Sequence, residues 1–148
     1  MDIEKSASME DYLEAVEMLR SKDGSVRVKE ISTLLGVKMP SVTAAMKKLS
    51  EGKMVIYERY GRIRLTAAGK KAAKDVYRRH EILRRFLICV LDINPETAAE
   101  DACRMEHVVS PTTLERLARL QSFIESCPHH KVPWLGSYRH YLKYGELP

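Results

Sequence analysis

Cys103, Glu106 and His107 bring a thiol, a carboxylate and an imidazole within five residues. If the segment is helical, positions i, i+3 and i+4 share one face, so the three groups project together. They are soft-to-borderline ligands within reach of one divalent cation. Asp11 and Glu14 have the same i, i+3 relation near the N-terminus, and His80 opens an apolar stretch. Metal-ligand types thus stand in three separate places. Each also has a plain structural reading. Cys103 alone suits a small buried hydrophobe. Glu106-His107 suits a surface pair or a satisfied core histidine, and Asp11 and Glu14 suit acids in a helix's first turn. Spacing alone leaves both readings open. His129 and His130 are open in the same way, between a tail site and a solvated loop.

The elements that must position these groups are legible as a series of helices. Residues 8–22 read as a helix with Ser8 as N-cap and an apolar stripe of Met9, Tyr12, Leu13, Val16 and Leu19. Asp23-Gly24 ends it, and Val26 to Val28 reads as a short strand. Residues 28–35 form a short helix with Ile31, Leu34 and Leu35 inward. After Gly36 a second helix runs from Pro40 to about Gly52, with Val42, Ala45, Met46 and Leu49 inward. Ser41, Thr43, Ala44, Lys47 and Lys48 face out. Helix, tight glycine turn, helix is the helix-turn-helix pattern. Residues 54–66 read as two strands around a tip near Tyr60-Gly61, where Arg59, Arg62 and Arg64 crowd. A basic hairpin directly after a helix-turn-helix reads as the wing of a winged helix.

From Thr66 the pattern is helical again. Ile82, Leu83, Phe86, Leu87 and Val90 make the stretch after His80 more apolar than one small domain needs, so they are expected to face a partner subunit. Asn94-Pro95 and Ser110-Pro111 each open a further helix, expected over 96–107 and over 111–125 with Leu114, Leu117, Leu120, Phe123 and Ile124 inward. One more short helix is expected in the tail, packed on the body. The fold expected is mainly α, with a winged helix-turn-helix over 1–74 and a helical dimerisation and metal-binding domain over 75–148.

The charge distribution suits a polyanion partner for residues 20–85 and equally a solvated surface with a mild basic bias. Residues 20–85 hold 18 Lys and Arg against 6 Asp and Glu, and the remainder holds 7 against 14. A 148-residue chain that is 45% hydrophobic and 30% charged has enough apolar material for a core, which argues against long-range disorder. No apolar run approaches the roughly 18 residues that would span a bilayer. The acidic N-terminus lacks the apolar core of a signal peptide, so a cytoplasmic location is expected, with Cys89, Cys103 and Cys127 not all paired.

The order of parts is similar to that of the DtxR/MntR family of bacterial metal-dependent repressors. The stretches that carry the resemblance are SMEDYLEAV, LLGVKMPSVTAAMKKL, LTAAGKK, YRRHEILRRFL and DACRMEHVVSPTTLERL, in that order over most of residues 8–120. The resemblance implies a homodimeric, metal-activated repressor that binds palindromic double-stranded operator DNA and controls metal-homeostasis genes. It implies Asp11, Glu14, His80, Cys103, Glu106 and His107 as metal ligands, shared between helix 1 and the C-terminal helices. Asp at 11 looks manganese-type and Cys at 103 looks iron-type. Arg84 and Ala99 stand where iron-type members hold ancillary-site ligands, so that site looks lost. The length looks like the short two-domain form. One thiolate among oxygen and nitrogen ligands leans toward Fe²⁺, with Mn²⁺ close behind. The competing readings are a metal-independent winged-helix protein and a metal-dependent hydrolase. Against the hydrolase, the chain has no glycine-rich oxyanion loop, and no enzyme activity is expected.

Overall fold

The computed structural model describes residues 7–58, 61–128 and 132–148. Arg59, Tyr60, His129 and His130 lie outside the described residues. The elements run α1 (Met9–Leu19), β1 (Val26–Arg27), α2 (Val28–Leu35), α3 (Met39–Glu51), β2 (Val55–Tyr57), β3 (Arg62–Leu65), α4 (Ala67–Cys89), α5 (Pro95–Met105), α6 (Pro111–Ser126) and α7 (Pro133–Tyr144). The chain divides within α4 into two compact units, one ending at Tyr77 and the other starting at Arg78.

In the first unit, Ser8 and Asp11 form a capping box that starts α1. The Ser8 hydroxyl accepts from the Asp11 N–H at 3.1 Å, and the Asp11 carboxylate accepts from the Ser8 N–H at 2.7 Å. The helix stops at Leu19, short of the expected residue 22. Residues Ser21 to Ser25 instead close a hydrogen-bonded turn around Asp23, with Gly24 at φ +77°. Gly36, at φ +65°, ends α2 and lets the chain turn into α3. Tyr12, Leu13 and Val16 of α1 pack with Ile31 of α2, Val42, Met46 and Leu49 of α3, and Val55 and Ile63 of the sheet. Leu34, expected inward, is exposed. The inner face of α2 is centred between Val28, Ile31 and Leu35, and at about 100° per residue Leu34 sits roughly a quarter turn away from it.

The sheet is antiparallel in the order β1-β3-β2. Val26 faces Ile63, and Val55 faces Leu65. Val55 and Ile63 point to the core while Ile56 points out, as the period of two requires. The base of the wing is locked to the start of α4. Thr66 donates its hydroxyl to the Lys53 and Met54 carbonyls and its N–H to the Met54 carbonyl. A Cβ on Gly69 would lie 1.9 Å from the Met54 oxygen, so only glycine admits this approach.

In the second unit, Asn94 caps α5 by accepting from the Thr97 N–H at 2.9 Å, and Ser110 caps α6 by accepting from the Thr113 N–H at 3.3 Å. Pro95 and Pro111 fill the first turns, where a missing N–H costs nothing. Leu83, Ala102 and Leu114 form the core, flanked by Ile82, Met105, Val109 and Leu117. Two expectations are corrected here. Leu83, Leu87 and Val90 are buried within the protomer, so they are not free to face a partner, while Ile82 and Phe86 stay half-buried. Leu120 and Phe123 of α6 are exposed rather than inward, and Gln121 takes the buried position. The tail forms α7 as expected, with Leu135, Tyr138 and His140 half-buried and the Arg139 guanidinium donating to the Cys89 carbonyl at 3.2 Å. Among the described residues no helix is long and apolar enough to cross a membrane.

Candidate metal centre and nucleic-acid interface

The ligand-type residues of the second unit gather on Glu106. Helix α5 ends at Met105, earlier than expected, and the chain passes through a turn over residues 106–108 before Ser110 takes the extended backbone that Pro111 requires. Glu106 is therefore the C-cap and His107 lies in the turn that follows, not on the helix proper. The backbone stays helical through Glu106, whose N–H donates to the Ala102 carbonyl at 2.9 Å. That preserves the common face expected for Cys103 and Glu106: the Cys103 Sγ and a Glu106 carboxylate oxygen lie within 4.8 Å of each other.

Glu106 is fully buried. The His80 Nδ1 lies 2.8 Å from Glu106 Oε2, and the His107 Nε2 lies 3.4 Å from Oε1. Among the described residues Oε1 has no hydrogen-bond partner. A buried carboxylate oxygen left in that state is costly. A thiol and two imidazoles near such a carboxylate are ligand types that suit a divalent transition-metal ion, which would satisfy the oxygen; of these three, Cys103 is the one whose donor atom groups with Glu106 closely enough for a shared ion among the described residues. Arg79, which the sequence reading passed over, donates its guanidinium to the Glu106 carbonyl at 3.0 Å. Its only signal was its place beside His80. Arg84 pairs with Glu81 through two hydrogen bonds of 2.9 and 3.1 Å, and this holds the Glu81 carboxyl below the usual range.

Asp11 and Glu14 belong to the first unit. Both are half-buried on α1, and Asp11 is also the third residue of that helix, where it closes the capping box. The reading of Asp11 as a first-turn acid holds.

The candidate DNA-contacting residues divide by exposure. Ser41, Ala44, Lys47 and Lys48 of α3 are exposed, and Thr43 is half-buried. Met39, not among the residues singled out from sequence, is an exposed apolar side chain at the first position of the same helix. On β3, Arg62 is exposed and Arg64 is half-buried. Neither is a bare charge, since Arg62 lies 3.7 Å from Asp23, and Arg64 lies 3.9 Å from Asp23 and 3.7 Å from Glu58.

Residues 4–63 match the family model described as the iron dependent repressor N-terminal DNA binding domain. Residues 66–135 match the iron dependent repressor metal binding and dimerisation domain. The chain belongs to the iron-dependent repressor family. Within the iron-dependent repressors and their relatives, it is 36% identical over 125 residues to the transcriptional regulator MntR of Bacillus pumilus, covering 84% of this chain and 86% of that one. MntR of Bacillus subtilis is also 36% identical, over 118 residues, covering 80% of this chain and 82% of the relative. Among solved structures, the manganese regulator SloR superposes with a TM-score of 0.71 at 30% identity, and IdeR of T. acidophilum with 0.70 at 28%. Each comparison covers 84% of this chain, which spans 58% of the solved chain. The fold of an iron-dependent repressor, a DNA-binding winged helix followed by a helical metal-binding and dimerisation domain, is the one expected from the resemblance.

Proposed function

We propose that this protein is a metal-activated, homodimeric transcription repressor that controls metal-homeostasis genes and has no catalytic role. The observation that carries the reading is the buried Glu106 carboxylate, faced by His80, Cys103 and His107 and left with one oxygen unsatisfied. His80, Cys103, Glu106 and His107 are the ligands from the second unit. Asp11 and Glu14 are the ligands from the first, on the strength of the family resemblance.

A bound divalent cation supplies the positive charge that lets these anionic and polar donors share one site. The residues do the rest. Glu106 and the two imidazoles fix the position of the site, and Arg79 holds the backbone at the end of α5 where Glu106 and His107 emerge. Ligands drawn from both the DNA-binding and the dimerisation halves couple metal loading to the spacing of the two recognition helices. A twofold dimer needs them about 34 Å apart to read two half-sites.

Ser41, Thr43 and Ala44 stand at the start of α3, where side chains reach base edges, with Met39 beside them to meet an apolar base edge. Lys47, Lys48, Arg59, Arg62 and Arg64 contact phosphate or the minor groove. The dimer surface takes in Ile82 and Phe86 of α4 and the exposed Leu120 and Phe123 of α6.

Fe²⁺ is favoured as the cognate ion because Cys103 adds a thiolate, and Mn²⁺ is the close alternative because every other ligand is oxygen or nitrogen. Calorimetric titration of the wild type and Glu106→Gln with Mn²⁺, and with Fe²⁺ under anaerobic conditions, tests the reading. Glu106→Gln should lose at least tenfold in affinity for both ions, or about 1.4 kcal/mol. Equal affinity in the two proteins would remove Glu106 from the site.

A further inference from the structure

The turn between α1 and β1 places a fixed negative charge against the wing. Ser21 and Ser25 both donate their hydroxyls to Asp23 Oδ1, the latter at 2.8 Å, and the Ser25 N–H donates to the same oxygen at 3.0 Å. The Ser21 hydroxyl also donates to the Ser25 carbonyl at 3.1 Å, which closes the turn on itself. With Oδ1 committed, Oδ2 faces the two arginines of β3, Arg62 at 3.7 Å and Arg64 at 3.9 Å. These hydrogen bonds hold the Asp23 carboxyl well below the usual aspartate range, so it is charged throughout the neutral range. The surroundings are otherwise mostly basic. Arg27 is the register partner of Arg62 on β1, and Arg20, Arg64 and Lys70 line a cleft of about 200 Å³ with Asp23 and Glu17. Glu17 pairs with Arg20, and of the described arginines of β3 Glu58 pairs with Arg64. Asp23 is the acid that meets both.

We propose that Asp23 is a charge brake on the wing, a positioning residue that competes with DNA phosphate for Arg62 and Arg64 and so lowers sequence-independent DNA binding. This rests on the reading of the wing as a DNA-binding element. Phosphate contacts carry no sequence information, so the affinity that Asp23 withholds is the part that does not depend on the operator. At under 4 Å the carboxylate is well inside the roughly 10 Å screening length of 0.1 M salt. A phosphate approaching either arginine meets a guanidinium whose charge Asp23 already partly neutralises, so each such pairing is worth less than one with a bare guanidinium. A repressor whose occupancy is to follow metal benefits from this, because a bare basic wing would hold DNA without metal.

Asp23→Asn separates charge from shape. Its amide oxygen can still accept from Ser21 and Ser25, so the turn is kept while the charge is lost. Asp23→Glu keeps the charge and disturbs the turn. The probe is a mixed-sequence DNA duplex with no operator, titrated with the full chain in chelator over a range of salt, followed by fluorescence anisotropy. Asp23→Asn should bind several-fold more tightly near 0.1 M salt, with a salt slope steeper by about 0.9 for each additional phosphate neutralised. Asp23→Glu should keep the wild-type slope. The tighter binding of Asp23→Asn should vanish when Arg62→Ala and Arg64→Ala are both present. Unchanged or weaker binding by Asp23→Asn would overturn the proposal, as would tighter binding that survives loss of both arginines or a steeper slope in Asp23→Glu. The wing reading fails separately. If Arg62→Ala with Arg64→Ala leaves the slope of the otherwise wild-type protein unaltered, the wing does not touch DNA and the brake falls with it.

Discussion

Cys103 is the one soft ligand type in an otherwise oxygen and nitrogen set. Thiolate covalency helps Fe²⁺ more than Mn²⁺, which prefers oxygen. Cys103→Glu should therefore keep metal-dependent DNA binding while moving the ratio of activation by Mn²⁺ to activation by anaerobic Fe²⁺ about tenfold toward Mn²⁺, equivalent to ~1.4 kcal/mol. An unmoved ratio in a DNA-binding titration would return Cys103 to the status of a half-buried thiol. Asp11 needs a different test because the proposed ligand also closes the capping box of α1. Its carboxylate accepts from the Ser8 N–H in the capping box. Asp11→Ala should cost about 1 kcal/mol of metal-free stability through the cap, whereas Asp11→Asn keeps an acceptor there and should stay within about 0.5 kcal/mol of wild type. Both should lose metal affinity. A thermal melt in chelator, followed by a metal titration, separates the cap from the ligand. The residue types were legible because metal ligands form a short chemical menu and the spacings repeat. Sequence could not show that Glu106 is the buried member, because burial depends on what packs over the turn after α5. Arg79 and Asp23 were missed for a similar reason, since each acts through a residue distant from it in sequence.

At the scale of elements, the starts were more legible than the ends. Ser8, Asn94-Pro95 and Ser110-Pro111 are local signals whose hydrogen bonds are made within three residues. The end of α1 depends on the Asp23 turn and so does not follow from a helical repeat, whereas the outward Leu34 does follow from steps of about 100° once Val28, Ile31 and Leu35 set the inner face. The seam between the wing and α4 is a case of close approach. Gly69→Ala forces a methyl into the Met54 carbonyl, and overpacking of this kind costs about 1–3 kcal/mol. Its melting temperature should fall by several degrees. A melting temperature equal to wild type would mean that the seam is looser than the structure has it. The dimer surface can be probed on α6. Phe123 is 59% exposed and sits on the same helix as the exposed Leu120. Phe123→Asp would bury a charge against an apolar partner, which costs several kcal/mol, and should yield monomers at micromolar concentration by sedimentation. An intact dimer there would move the interface elsewhere on the second unit.

At the scale of the whole chain, the division of labour was visible in the charge. The basic block of residues 20–85 runs from the end of α1 through most of α4, and the acidic remainder holds most of the proposed metal ligands. What composition could not show is which surfaces stay free, because a helix such as α4 serves both units and buries Leu83, Leu87 and Val90 in its own protomer. The central claim is that metal occupancy governs DNA binding. It is tested most directly by a binding titration of the full chain on duplex DNA from its own promoter region, run once in EDTA and once with saturating Mn²⁺ or anaerobic Fe²⁺. The expected result is tight, saturable binding with metal that weakens by at least a hundredfold in EDTA, or about 2.7 kcal/mol, with His107→Ala shifted toward the EDTA curve at every metal concentration. Superimposable curves in EDTA and in metal would contradict it.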